Sequence, residues 1–87
     1  MEKVYVLKAE LENGRKFEAV NGICVFAKEE DALKELQIEI SDWITSFECY
    51  YDREDIRVDK CSETCVVIDG NNYDDCITLS VSEEIVH

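Results

Sequence analysis

The apolar residues between positions 28 and 47 recur at helical spacing: Leu33, Leu36, Ile40, Trp43, Ile44 and Phe47. Steps of three and four residues place them on one stripe of an α-helix, whereas a strand would scatter them over both faces. Glu29, Glu30 and Asp31 add negative charge in the first turn, where it meets the positive end of the helix dipole. The chain is thus committed to one long amphipathic helix. An isolated helix of this kind is marginal in water, so the remaining residues must supply an apolar surface to cover the stripe.

Those residues carry β patterns. Between positions 3 and 12, Tyr5, Leu7, Ala9 and Leu11 alternate with Lys8, Glu10 and Glu12, which predicts a strand with one apolar face. Asn13-Gly14 follows, a dipeptide suited to the positive φ angles of a tight hairpin turn. Residues 15–20 are expected to return as the partner strand, with Phe17 and Ala19 facing the core. A second turn signal, Asn21-Gly22, precedes Ile23-Cys24-Val25-Phe26, read as a short strand or as a continuation past a bulge.

After the helix, an acidic and aromatic connection runs through Tyr50, Tyr51, Asp52, Glu54 and Asp55, and Ile56 and Val58 fit a short strand. Residues 64–69 and 76–81 are β-branched runs flanking Gly70-Asn71-Asn72-Tyr73-Asp74-Asp75, which reads as a hairpin with a longer loop. The predicted architecture is α+β, a two-layer sandwich in which an antiparallel sheet of four to six strands packs on the helix, in the order β-β-(β)-α-β-β-(β). A chain of 87 residues can bury roughly 60–65% of its unfolded surface, enough for a single domain over residues 1–87.

Lys and Arg number 9 against 21 Asp and Glu, so the net charge is −12. Hydrophobic residues make up 46% of the chain and include Trp43, three phenylalanines and four tyrosines, which places the acidity on a folded surface rather than in a disordered tail. Such a surface repels phosphate, so direct binding to nucleic acid or to an anionic membrane is disfavoured and a basic protein surface is the natural partner. The first residues lack the apolar stretch and small-residue cleavage site of a signal peptide, and five cysteines, an odd number, fit reduced thiols, so a cytoplasmic location is expected.

Three constellations invite chemistry. Cys61 and Cys65 with Cys49 and Cys76 offer four thiolates to zinc, but only one pair has knuckle spacing, and cysteines packed as small hydrophobes account for the same residues. Asp69, Asn71, Tyr73 and Asp75 alternate like the start of a calcium loop, yet Asp74 stands where that loop needs glycine and Ser80 where it needs glutamate. A polar hairpin loop explains them equally. The one histidine is the C-terminal His87, and phosphate-loop and nucleophile-elbow motifs are missing, so neither enzyme activity nor a cofactor is expected.

The helix carries the more specific signal. Asp31, Glu35, Glu39 and Asp42 follow at spacings of four, four and three, forming a carboxylate ridge about 16 Å long at 1.5 Å per residue. The ridge is expected opposite the apolar stripe, with Ile38 projecting beside it. Together with the acidic loops Asp52, Glu54, Asp55 and Asp74, Asp75, this ridge resembles the small acidic phage-encoded inhibitors of bacterial defence, the anti-CRISPR and anti-restriction DNA mimics. That resemblance implies an inhibitor that occupies the basic channel of a nucleic-acid-handling defence effector, with those ten residues, Ile38 included, at the interface. Two other readings stand beside it: an accessory domain that assembles through a sheet face or edge, and a cysteine-based zinc domain.

Overall fold

The computed structural model describes residues 2–14, 17, 21–72 and 74–86. Two strands come first, β1 (Glu2–Asn13) and β2 (Asn21–Phe26), followed by the helix α1 (Glu29–Glu48). A short 3-10 turn (Arg53–Asp55) then leads into β3 (Ile56–Ser62), β4 (Cys65–Gly70) and β5 (Asp75–Val86). All strand pairs are antiparallel, and the sheet order is β2-β1-β5-β4-β3. The chain is therefore α+β, with one five-stranded sheet covered on one face by one helix.

Register fixes which residues meet the helix. Leu7 pairs with Val81, Ala9 with Leu79 and Leu11 with Ile77 across β1 and β5, while Val66 and Ile68 of β4 continue the same rows. From α1, Ala32, Leu36 and Phe47 are buried against this surface, and Leu33, Ile40, Trp43 and Ile44 pack around them. The expected stripe is thus the interface. Because β2 and β3 lie at opposite edges of the sheet, the connection through α1 crosses the whole layer.

At the far end of the helix, Phe17 packs edge-on against Trp43 and Tyr50 and tilted against Phe47, with centroid distances of 5.7, 5.1 and 4.9 Å. Phe17 thus faces the core as expected. The rest of the strand anticipated over residues 15–20 lies outside the described residues.

Two turn expectations are corrected. Gly14 does not adopt a positive φ, and Asn21 pairs with Glu10, a register that a two-residue turn at positions 13 and 14 would not give. The reason is competition for the backbone: β1 stays extended to Asn13 because β5 continues to pair with it, Leu11 with Ile77 and, past a bulge, Asn13 with Cys76. Glycine is still required at position 14, since a Cβ there would sit 2.5 Å from the Phe17 carbonyl oxygen. Asn21-Gly22 likewise lies inside β2 and makes no turn. The left-handed residues are Asn71 and Asn72, with φ of 51° and 57°, in the loop joining β4 to β5.

Candidate functional site

Helical geometry advances about 100° per residue, and this places the carboxylate ridge on a flank of α1 and not opposite its apolar stripe. Asp31 and Asp42 are exposed, but Glu35 and Glu39 are half-buried. Glu39 sits nearest the seam, and with Trp43 it borders a groove of about 140 Å³ whose floor is Leu7, Ala9, Gly22 and Cys24 of β1 and β2. The groove exists because β2 sets small side chains, Gly22 and Cys24, beside Ala9 and Leu7 on the helix-facing side. The expectation failed because roughly a quarter turn of rotation about the helix axis separates the face opposite the stripe from the middle of the ridge. Ile38 occupies that outer face, 47% exposed, beside Asp31 and Asp42 in projection.

Among the described residues none of the four ridge carboxylates takes part in an ion pair. Ion pairs lie elsewhere, among them Lys3 with Glu83 at 3.1 Å and Arg53 with Glu48 at 3.4 Å. The hydrogen bond and charge of Glu83 hold the Lys3 ammonium above its usual lysine range. This pair joins β1 to β5 at the end of the sheet away from the aromatic cluster. Arg53 offsets the unfavourable charge of Glu48 in the last helical turn, which has no basic residue of its own.

The two acidic loops come together. Asn71 N–H donates to the Asp55 carbonyl at 2.8 Å, tying the β4–β5 turn to the 3-10 turn, and Asn71 Nδ2 donates to Asp74 Oδ2 at 2.6 Å. Asp52, Glu54 and Asp55 are exposed, and Asp74 is half-buried.

Asp75 is a correction to the expected interface, because it is completely buried. Its carboxylate accepts hydrogen bonds from the Tyr51 hydroxyl and, at 3.3 Å, from the Phe17 N–H. A group so enclosed fastens the loop before β2 to the helix terminus and has no surface to offer a partner. The calcium-loop reading fails on the same geometry. Asp75 lies on the helix-facing side opposite Gly70, whereas Asp69, one register step away, points to the other face. Tyr73 lies outside the described residues.

Of the cysteines, Cys24, Cys49 and Cys61 are exposed, Cys65 is half-buried and Cys76 is buried. Cys65 and Cys76 share the open face of the sheet, Cys49 caps the helix and Cys61 lies on the β3 edge. Among the described residues no three His, Cys, Asp or Glu side chains gather closely enough to hold a metal ion. No helix among them is long and apolar enough to cross a membrane.

The open sheet face carries a feature that periodicity alone did not mark. Ile23 and Val25 of β2 are 65% and 61% exposed, in register with Lys8 and Val6 of β1. In comparison with known proteins, the chain matches no family model, no curated protein and no solved structure.

Proposed function

We propose that this chain is an acidic protein-binding domain that sets the α1 flank against a basic, nucleic-acid-holding surface, and that it acts as an inhibitor of the protein bearing that surface. The observation that carries this reading is the row of unpaired carboxylates, Asp31, Glu35, Glu39 and Asp42, on a helix fixed rigidly to a sheet in a protein of net charge −12. Rigid placement matters, because a partner's Arg and Lys side chains then meet preorganised charge without ordering a loop. The groove beside Glu39 and Trp43 accommodates the aliphatic stem of such a side chain, with the carboxylate at its head.

The test combines capture with competition. The wild-type chain should retain a basic nucleic-acid-handling protein from a bacterial lysate, and duplex DNA should displace it. A variant carrying D31N, E35Q, E39Q and D42N should keep the circular dichroism of the fold and lose capture. Equal recovery by the variant across a salt series would overturn the ridge as the interface.

One observation favours the accessory-domain reading: the exposed pair Ile23 and Val25 on a strand, Asn21–Phe26, that carries no charge and lies at the sheet edge. An exposed apolar edge is a template for strand addition. I23T with V25T would then abolish assembly while the ridge variant left it intact, the reverse of the outcome for the inhibitor.

A further inference from the structure

Among the described residues β2 pairs with β1 and with no other strand, so its outer edge presents unpaired N–H and C=O groups. Its sequence, Asn21–Phe26, has neither the charges nor the proline that block strand addition elsewhere. Alternation sends Ile23 and Val25, both exposed, to the open face of the sheet, and Gly22 and Cys24 to the helix side.

The carboxylate ridge stands over this edge. At about 100° per residue, Glu39 lies about 40° around the helix from Glu35, Trp43 about 80° and the buried Leu36 about 100°. Glu39 and Trp43 border the groove floored by β1 and β2, so the flank of α1 that begins at Glu35 is the one turned toward β2. Both glutamates are half-buried, and neither takes part in an ion pair among the described residues. Free backbone, a groove with small side chains at its floor and a carboxylate rim thus adjoin one another.

These three features select one kind of occupant. A strand added beside β2, at a spacing of about 4.8 Å, points alternate side chains to the two faces of the sheet. Those on the open side meet Ile23 and Val25, which suits apolar β-branched residues. Those on the helix side enter the groove, where a long basic side chain can lay its stem on Trp43 and Cys24 and bring its charge to Glu39 and Glu35. A second copy of the chain fits less well. Antiparallel pairing keeps opposed side chains on one face, so the copy would turn its own carboxylates toward these, and its Gly22 and Cys24 would leave the groove unfilled.

We propose that the β2 edge and the overhanging α1 flank form a single docking trough, and that its occupant is an extended segment of a partner protein in which basic and apolar residues alternate. The segment joins the sheet as an added strand. This rests on the α1 flank being a binding surface and adds to it the backbone edge, which the inhibitor reading leaves unused.

The test titrates the isolated, labelled chain with a capped hexapeptide of alternating valine and lysine, followed by amide NMR and hydrogen exchange. One control peptide has three valines followed by three lysines, the same charge without the alternation. A second is the alternating peptide methylated at every backbone nitrogen, which keeps the side chains and removes the N–H donors. The alternating peptide should give saturable shifts at Gly22, Ile23, Cys24 and Val25 and at Glu35 and Glu39, and should slow exchange of the β2 amides. Both controls should bind at least about tenfold more weakly, since each loses several strand contacts. E35Q with E39Q, and separately I23T with V25T, should each keep the circular dichroism of the fold and weaken the peptide about threefold or more. Equal binding of all three peptides would overturn the added strand while leaving the flank as a plain charged surface. Failure of every peptide to bind would overturn it too, and capture of a basic protein that still depends on the ridge would then leave the proposed function standing. A stable dimer of the chain alone in sedimentation, with its β2 amides protected, would give the edge to a second copy and likewise overturn the proposal.

Discussion

At the scale of single residues, Tyr51 lies directly over Gly70 and leaves no room for a side chain there. A Cβ on Gly70 would stand 2.7 Å from the Tyr51 ring, and the ring cannot withdraw easily because its hydroxyl is bonded to buried Asp75. G70A should therefore destabilise the protein by about 1–3 kcal/mol, the usual cost of overpacking, measured by urea unfolding. Y51F takes one donor from the buried Asp75 carboxylate and should cost about 1–3 kcal/mol for the same reason in reverse, an acceptor left short. An unchanged midpoint in Y51F would show that Asp75 is held by other partners. None of this was legible in the sequence, where Asp74 and Asp75 are two adjacent acids in a polar loop. Strand alternation sends Asp75 inward, and only the return of the chain after α1 brings Tyr51 above it.

At the scale of elements, α1 was legible almost to its ends, because twenty residues of apolar period and an acidic first turn point one way. F47A should remove about 3–5 kcal/mol, since Phe47 is wholly buried and joins the sheet to the Phe17, Trp43 and Tyr51 rings. The turns were less legible. Asn-Gly pairs are strong local signals, but strand pairing with β5 outweighed the one at position 13, and β2 absorbed the one at position 21. Asn71 and Asn72 adopt the left-handed conformation instead, so N72A should cost roughly 1–2 kcal/mol while N72G costs much less, a comparison that thermal unfolding can read. The ridge was legible as a row of charges but not as a flank. Rotation of a helix about its axis depends on what packs beneath it, and the small residues of β2 were not recognisable as one wall of a groove.

At the scale of the whole molecule, a charge of −12 is spread over an elongated body of 45 × 20 × 18 Å. Self-repulsion at that density should be relieved by salt, since the Debye length falls from about 10 Å at 0.1 M to about 3 Å at 1 M. The urea midpoint should therefore rise with added KCl at constant m, whereas affinity for a basic partner falls over the same range. A midpoint that falls would mean that pairs such as Lys3–Glu83 outweigh repulsion. The two margins of the sheet also differ. β3 ends the layer with Arg57, Asp59 and Lys60, while β2 ends it with Asn21–Phe26 and no charge at all. Charged margins discourage further pairing. Growth of this sheet is consequently one-sided: it can accept a single strand at β2, and a second copy joined there turns its own charged margin outward, so any assembly by that route stops at a closed pair and cannot run on into a fibre.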